Sequence, residues 1–239
     1  MKPETRTAAF EHAQAQFPRE ACGLIVVVKG KERYWPCRNI SDYAGDQFVL
    51  APEDYAEAER AGEITGIFHS HINLPADPSE ADRAACEATG LPWYIVGLPS
   101  MSWADIEPCG FEAPLVGRVH VWGSMDCWTL VRDWYKRERS IDLINLPRAP
   151  NFWKRGENIL GDNYRRAGFA AVPDGDPLEV GDVLLIQTGD SDFPNHVALY
   201  IGDDQILHHA EHRLSSRDVY GGWYKKHTVK VVRYEGGQA

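Results

Sequence analysis

A stretch rich in glycine and proline, residues 108–124, constrains this chain most, because it lacks helical periodicity and lies between two differently patterned halves. A fresh helical pattern, DCWTLVRDWYKRE, begins directly after it. The chain has 239 residues and is 44% hydrophobic, which is enough to bury two compact cores. We therefore predict two domains, residues 1–112 and 113–239, with the boundary near residue 113.

The first half alternates helical and extended patterns. A helical segment at about 4–17 ends at Pro18, and the continuous apolar run CGLIVVV predicts a strand that is buried on both faces. After a polar hairpin, KGKER, two further buried strands are predicted at ITGIFHSH and LPWYIVGL. Between these two strands lies a helix over SEADRAACEA, with Ser79 at its N-cap. This alternation predicts an α+β fold with a mixed sheet and flanking helices.

The second half places its helix first and its strands later. The helix covers DCWTLVRDWYKRE, and a long irregular region follows at about 141–177. Strands are then predicted at DVLLIQT, HVALYIG and the terminal HTVKVVRY. This order is again typical of an α+β domain.

The bulk properties exclude several classes of protein. A net charge of −10 argues against a surface that binds nucleic acid or anionic lipid by counterion release. No stretch approaches the roughly 20 apolar residues of a membrane-spanning helix, and the charged N-terminus is unlike a signal peptide. Five cysteines are too few, and odd in number, for a disulfide scaffold. We expect reduced thiols, synthesis in a cytosol, and an activity that lies in local sites.

The segment HSHINLPADPSEAD carries the first candidate site. His69 and His71 lie two residues apart at a strand end, where both side chains project from one face. With Asp82, near the start of the predicted helix, they can hold Zn²⁺ and leave a fourth position for a water molecule. The metal lowers the pKa of that water, and a nearby carboxylate can take its proton. The alternative is that such histidines, a capping serine and an aspartate are ordinary features of a folded domain.

This spacing, His-x-His followed by Ser and Asp, resembles the JAMM metalloprotease family over about residues 1–112, with an upstream glutamate in PREACG. The resemblance implies a zinc cofactor and metallopeptidase chemistry. It also implies a role for each matching residue: zinc ligands at His69, His71 and Asp82, a general base at Glu20, and oxyanion stabilisation by Ser79.

The second candidate site starts from Cys127, at the beginning of the predicted helix, where the macrodipole and free amides favour a thiolate. His196, at a strand start, is the candidate base, and His208 on the next strand can orient it. His209 competes with His208, because a strand alternates its faces and only one of the two can point at His196. The spacing favours His208. The alternative is a buried free cysteine beside hydrogen-bonded histidines.

These residues resemble the NlpC-type cysteine peptidases, papain-like enzymes that cleave peptidoglycan stem peptides. The shared motifs are a helix-starting Asp-Cys, a histidine at a strand start, and a polar third residue twelve positions later. One departure is Met125, which stands where that family often carries an aromatic residue. The resemblance implies a catalytic set of Cys127, His196 and His208 and a papain-like fold.

A JAMM-like half followed by an NlpC-like half is similar to a family of lambda-like phage tail assembly proteins, and the resemblance covers essentially the whole chain. Segments such as CWTLVRDWYKRE and LSSRDVYGGWYKK look like the C-terminal half of that family. The resemblance implies synthesis in the host cytoplasm, a place in the virion tail tip among other tail-tip proteins, and cutting of the host cell wall in the periplasm.

The leading hypothesis is therefore a phage tail peptidase that acts on peptidoglycan stem peptides or cross-bridges, with the cysteine site as its main catalyst. One alternative is a non-enzymatic assembly or structural protein of the tail tip. Another is a zinc-dependent isopeptidase or processing protease for a different tail protein. We further expect Cys127 to be alkylated before the other four cysteines.

Overall fold

The structure is a computed structural model that describes residues 1–236; residues 237–239, at the end of the predicted second domain, lie outside the described residues. The chain divides into two compact units, Met1–Glu112 and Ala113–Ala239. Each unit contains its own sheet and its own clusters of buried apolar side chains. The α+β fold with two sheets is confirmed.

The first unit is built from three helices and five strands. Their bounds are α1 Pro3–Gln16, β1 Cys22–Val28, β2 Lys31–Cys37, α2 Pro52–Ala61, β3 Glu63–Ile72, α3 Glu80–Thr89, β4 Trp93–Leu98 and β5 Ser102–Ile106. The sheet has the order β2-β1-β3-β4-β5. Strands β3 and β4 run parallel, whereas the other neighbours are antiparallel, so the sheet is mixed as predicted.

The central strands of this sheet are buried on both faces. On β1, Leu24 packs into a cluster that includes Ala58 of α2 and Cys86 of α3. Its neighbour Ile25 points the other way, into a cluster that includes Ala9 of α1. The continuous apolar run of β1 is therefore explained by helices on both sides of the sheet.

The second unit contains a long helix, a six-stranded sheet and several short elements. The bounds are α4 Cys127–Arg139, a 3-10 helix at Phe152–Arg155, α5 Ile159–Asn163, β6 Phe169–Ala171, β7 Val183–Ile186, β8 His196–Gly202, β9 Gln205–His208, β10 Ser216–Val219, α6 Gly222–His227 and β11 Thr228–Tyr234. The sheet has the order β10-β9-β8-β7-β11-β6, and its neighbours are antiparallel.

Helix α4 begins at a well-defined cap and packs onto this sheet. The side chain of Asp126 accepts hydrogen bonds from the backbone amides of Trp128 and Thr129. Further along the helix, Leu130 and other apolar side chains join a cluster that includes Val197 of β8. Capping and packing together hold the first residue of the helix, Cys127, beside the start of β8.

Several elements are not among those predicted from the sequence. They are strands β5 and β10 and helices α2 and α6, and β2 is predicted only as part of a polar hairpin. The region at about 141–177 is not uniformly irregular, because it includes the 3-10 helix, α5 and β6. Within residues 1–236, no helix combines the length and the apolar character needed to cross a membrane.

Candidate functional sites

The first site lies where β3 ends and α3 begins. His69 Nε2 is 3.1 Å from His71 Nε2 and 3.2 Å from Asp82 Oδ1. The other carboxylate oxygen of Asp82, Oδ2, is 3.3 Å from His71 Nε2. All three residues are buried. The structure therefore brings together the three side chains that the sequence predicts as zinc ligands.

The spacing of these atoms fits a tetrahedral metal ion. With metal–ligand bonds of about 2.0–2.1 Å, the donor atoms of a tetrahedral zinc site lie about 3.3 Å apart. The three distances of 3.1, 3.2 and 3.3 Å match that edge length. Among the residues that the structure describes, this is the one group of histidine, cysteine and acidic side chains close enough to hold a metal.

Hydrogen bonding orients one of the two imidazoles. His71 Nδ1 lies 2.9 Å from the carbonyl oxygen of Pro75, so Nδ1 carries the proton and the lone pair of Nε2 faces the site. His69 is held by ring packing instead, with Phe48 stacked on it at 4.7 Å between centroids and Trp93 edge-on at 5.5 Å. Its buried Nδ1 atom makes no hydrogen bond to a described residue.

The ionisable groups of this site shift one another's pKa values. Burial acts to raise the pKa of Asp82, but hydrogen bonds from His69 and His71 outweigh it and hold that pKa below its ordinary value. Burial lowers the pKa of His69. The pKa of His71 is raised because hydrogen bonds to Asp82 and to the Pro75 carbonyl outweigh the effect of burial. A divalent cation is coordinated by ionised carboxylates and unprotonated imidazole nitrogens, and the low pKa of Asp82 supplies the ionised carboxylate.

Ser79 is the N-cap of α3, as predicted, and it positions Asp82. Its hydroxyl donates to Asp82 Oδ2 at 2.7 Å and accepts from the Asp82 amide at 3.1 Å, while its own amide donates to the same carboxylate. The hydroxyl proton is thus directed at the carboxylate. The oxyanion role that the family resemblance implies for Ser79 stays a prediction.

Glu20 lies in the segment before β1 and is buried. Burial raises the pKa of Glu20 to about 8, with opposing contributions from His71, which lowers it, and Asp82, which raises it. The charges of His71 and Asp82 therefore act on the pKa of Glu20, and its role as general base stays a prediction. A carboxyl group whose pKa lies near neutrality can take up and release a proton at working pH.

The second site is a cavity of about 420 Å³ in the second unit. Cys127, His196 and His208 line it, together with aromatic side chains that include Trp153 and Trp223. His196 Nε2 lies 3.2 Å from His208 Nδ1. The structure therefore brings the predicted nucleophile, base and orienting residue to one cavity.

The strand register explains the pairing of the two histidines. His208 lies directly opposite Ala198 in the β8–β9 pair, and His196 is two residues earlier on β8. Residues two apart share a face of the sheet, so His196 and His208 are diagonal neighbours. His209, which competed for this role in the sequence, lies beyond the end of β9 and makes no hydrogen bond to His196.

The predicted lowering of the Cys127 pKa is not what the structure shows. Burial raises the pKa of the Cys127 thiol to about 12, and neighbouring Asp126 adds to the increase. The Val197 amide acts in the opposite direction and lowers the pKa of this thiol, and no hydrogen bond to His196 is formed among the described residues. Burial likewise lowers the pKa of His196 to about 3. Desolvation thus outweighs the helix N-terminus, and the resting pair is uncharged.

A buried ion pair involves the residue that directly precedes Cys127 in the sequence. Arg148 pairs with the helix cap Asp126, and both side chains are almost fully buried. Burial acts to raise the pKa of Asp126, but Arg148 outweighs it and lowers that pKa to about 2. Arg148 is not predicted from the sequence, because it lies in the irregular region and only the fold brings it to the helix start.

Two more imidazoles adjoin the cavity. His209 is fully buried, and neither of its ring nitrogens makes a well-formed hydrogen bond, although the Arg118 backbone carbonyl is nearby. Its ring contacts that of His120 edge-on at 4.9 Å between centroids. Burial lowers the pKa of both side chains, that of His209 to about 4. Both imidazoles therefore line the cavity as neutral rings near neutral pH.

The remaining cysteines do not contribute to the cavity. All five are free thiols, as predicted, and Cys22, Cys37 and Cys86 are buried in the first unit. Burial raises the pKa of each of these three thiols. Cys109 is exposed. The accessible thiol of the protein is therefore Cys109 rather than Cys127.

Comparison with known families matches each unit to a separate domain family. Residues 117–233 match the NlpC/P60 family, and residues 2–106 match the prokaryotic homologs of the JAB domain.

Two relatives that match most of the chain are phage proteins. The chain is 39% identical over 237 residues to the tail tip assembly protein K of Escherichia phage N15, covering 98% of this chain and 96% of that protein. It is 35% identical over 190 residues to the tail tip assembly protein K of Escherichia phage lambda, covering 80% of this chain and 92% of that protein.

Two solved structures are similar to this chain over different lengths. A JAB1/MPN domain protein from Archaeoglobus fulgidus is 22% identical over 46% of this chain and 88% of that chain, with a TM-score of 0.30. An NlpC/P60 family protein from Bacillus cereus is 15% identical over 94% of this chain and 66% of that chain, with a TM-score of 0.37.

Proposed function

This chain belongs to the tail tip assembly protein K family and carries a JAB-type and an NlpC/P60-type domain, and we propose that it is a cysteine peptidase of the tail tip that cuts peptides of the host cell wall. The observation that carries the proposal is the cavity that Cys127, His196 and His208 share. A nucleophile, a base and an orienting residue in one cavity are the parts that acyl transfer requires.

In the proposed reaction, the Cys127 thiol and the His196 imidazole start uncharged, and His196 acts as a general base. His196 takes the Cys127 proton as the sulfur attacks the carbonyl carbon of the scissile bond, and it gives that proton to the leaving amine. Water then hydrolyses the thioester with His196 again as base. The raised pKa of Cys127 and the lowered pKa of His196 favour proton transfer during attack over a thiolate formed beforehand.

The proposed substrates are peptidoglycan stem peptides or cross-bridges, reached when the virion tail tip meets the cell wall in the periplasm. The lining of the cavity supports a peptide ligand, because it combines aromatic rings such as Trp153 and Trp223 with polar side chains such as Asn195 and Glu211. The proposed partners in the particle are other tail-tip proteins.

Mass spectrometry of muropeptides after digestion with the purified full-length protein tests this proposal. We expect new peptide termini with the wild type and none with Cys127→Ala. Cys109→Ala is the matched control, because it removes an exposed thiol outside the cavity and should leave cleavage unchanged. A wild-type protein that releases no product, or a Cys127→Ala variant that does, would contradict the peptidase proposal.

We propose in addition that His69, His71 and Asp82 hold a zinc ion in a metallopeptidase-type site. The distances among their donor atoms support this. A bound zinc ion would supply Lewis acidity at the open position. Of the chain's own groups, Ser79 holds Asp82, and Glu20 is the carboxyl group that can exchange a proton there.

The proposed substrate of this zinc site is an isopeptide or a peptide of another tail protein. Incubation with purified tail-tip proteins tests it, since cleavage should be lost in His69→Ala and retained in Cys127→Ala. Cleavage that survives in His69→Ala would contradict the assignment.

A non-enzymatic role in tail assembly is the second candidate function. The uncharged, buried cysteine that makes no hydrogen bond to His196 among the described residues favours it. Under this alternative, phage carrying Cys127→Ala should assemble infectious tails as efficiently as the wild type, and the purified protein should cleave none of the peptides above.

A further inference from the structure

The hydrogen bonds of His208 extend beyond the predicted set of three residues. On the side away from His196, His208 Nε2 lies 2.9 Å from Asp218 Oδ2. The hydroxyl of Tyr224 donates to the same carboxylate oxygen at 2.7 Å and lies 3.1 Å from His208 Nε2. A chain of polar contacts therefore runs from Asp218 through His208 to His196.

The register of three neighbouring strands places the residues of this series of polar contacts. Ser216 on β10 lies directly opposite His208 on β9, and Asp218 is two residues further along β10. Asp218 therefore projects from the same face of the sheet as His208, one diagonal step away. The polar contacts pass from β10 to β9 to β8 across one face.

The partners decide which nitrogen of each imidazole carries a proton. Asp218 is ionised and can only accept, so Nε2 of His208 is the protonated nitrogen. Nδ1 of His208 is then an acceptor and receives the Nε2 proton of His196 at 3.2 Å. The unprotonated nitrogen of His196 is Nδ1, which is the nitrogen left for the thiol proton.

We propose that Asp218 is a positioning residue of the cysteine site: it sets the tautomer of His208 and, through it, leaves His196 Nδ1 free as the base. This inference rests on the proposed peptidase function. During attack the imidazolium of His196 forms, and the Asp218 carboxylate, two hydrogen bonds away, stabilises its charge through His208.

The other groups that face His208 do not replace Asp218. The Tyr224 hydroxyl donates its hydrogen bond to Asp218. The Ser216 hydroxyl lies 3.5 Å from His208 Nε2, at the limit of a hydrogen bond. Arg213 acts on His208 as a positive charge and so opposes its protonation. Of the described groups around His208, Asp218 is the one carboxylate within hydrogen-bond distance.

Nitrogen-15 NMR of the full-length protein with labelled histidine tests the tautomers without any substrate. We expect both His196 and His208 to carry their proton on Nε2 near neutral pH. A wild-type His208 with its proton on Nδ1, or doubly protonated, would overturn the proposal, because Nδ1 would then donate to His196 Nε2. The proton of neutral His196 would lie on its Nδ1, which could not accept the thiol proton.

Variants at Asp218 provide the second readout. Asp218→Asn should give a mixed tautomer at His208 and lower kcat about 10- to 100-fold, by analogy with the loss of an outer hydrogen-bond partner of a metal-binding imidazole. Asp218→Glu should recover part of both signals, since it keeps the carboxylate. Tyr224→Phe should keep the wild-type tautomer, and Asp174→Asn, an exposed loop aspartate, should change neither readout.

The two readouts separate this inference from the proposed function. Wild-type protein that has the expected tautomers and cleaves no peptide would refute the peptidase function alone. Peptide cleavage that persists at the wild-type kcat in a folded Asp218→Asn variant would refute the role of Asp218 alone. If Asp218→Asn fails to fold, Tyr224→Phe still tests the proposal. An unchanged His208 tautomer in that variant supports Asp218 as the group that sets it, and an altered His208 tautomer refutes this role.

Discussion

At the scale of single residues, the two candidate sites differ in the pKa shifts, and therefore in the charges, of their ionisable groups. In the first site, hydrogen bonds hold the pKa of Asp82 low and raise that of His71, so a negative charge is kept beside the imidazoles. In the cavity, burial raises the pKa of Cys127 and lowers that of His196, so both are neutral. The first arrangement suits a cation, and the second suits a proton transfer that begins only with substrate.

The neutral cysteine predicts an order of alkylation that differs from the expectation based on sequence. With brief iodoacetamide treatment near neutral pH, Cys109 should be labelled first, because it is exposed. Cys127 should react slowly, because its thiol is buried with a pKa raised to about 12. Peptide mapping measures both rates, and Cys109→Ala provides the background for Cys127. Faster labelling of Cys127 than of Cys109 would show that a thiolate forms before substrate binds.

The metal site predicts a defined zinc content. The purified protein should bind close to one zinc ion, and both His69→Ala and Asp82→Ala should lose it, because each removes one of three donor side chains. Elemental analysis after dialysis measures the content. His212→Ala, at an exposed histidine of the second unit, is the matched control and should retain the metal. Equal zinc in all four proteins would refute the ligand assignment.

At the scale of elements, helix α4 depends on the pair of Asp126 and Arg148. Asp126 caps the helix and is also the partner of a buried arginine. Removing its charge leaves that arginine buried without compensation, which typically costs about 3–5 kcal/mol. Cys127, the candidate nucleophile, is the first residue of the same helix. The Asp126 carboxylate therefore affects both the stability of the fold and the position of the nucleophile.

We therefore expect Asp126→Asn to lower the free energy of unfolding by about 3–5 kcal/mol in urea denaturation. Asp142→Asn is the control, because its partner Lys136 is 3.9 Å away and both side chains are exposed, so it should have little effect. The two variants should unfold at clearly different urea concentrations, and coincident transitions would contradict the role of the pair.

The same pair predicts an acid-dependent loss of stability. The pKa of Asp126 falls from 3.8 to about 2 on folding, so its ionisation stabilises the native state above the higher value. This stabilisation should be lost as the pH falls from about 4 towards 2, and Asp126→Asn should lack that part of the pH profile. Urea midpoints measured between pH 5 and 2 test it; parallel profiles for the two proteins would contradict the shift.

At the scale of the whole molecule, the residues of each candidate site fall within one compact unit. Glu20, His69, His71 and Asp82 belong to Met1–Glu112, whereas Cys127, His196 and His208 belong to Ala113–Ala239. No residue is shared between the two sets. Each candidate site therefore lies within the part of the chain that matches its own domain family.

Independence predicts opposite responses to two inhibitors. A chelator should abolish cleavage that depends on His69 and leave cleavage that depends on Cys127 largely intact, because a thiol and an imidazole need no Lewis acid. Prolonged alkylation should do the reverse. A fragment of about residues 114–239 should fold alone and keep any wall-cutting activity, which circular dichroism and muropeptide digestion can measure. Loss of cysteine-dependent cleavage on chelation, or an inert fragment beside an active full chain, would contradict independence.

The sequence by itself determined the local features of this protein. The apolar run of β1 and the Ser79 cap of α3 are short-range patterns, and each is observed where it is predicted. The α+β class and the family also follow from such patterns, because the motifs are continuous stretches. The separation of Cys127, His196 and His208 along the chain was enough to select them as candidates.

The tertiary structure decided everything that depends on residues distant in sequence. Arg148 reaches Asp126 from 22 positions away, and Asp218 and Tyr224 reach His208 only because two strands and a helix come together. Burial is also a property of the packed chain, and it reversed the expected pKa of Cys127. A helix N-terminus is visible in a sequence, but the desolvation that outweighs it exists only once the core has formed around the sulfur.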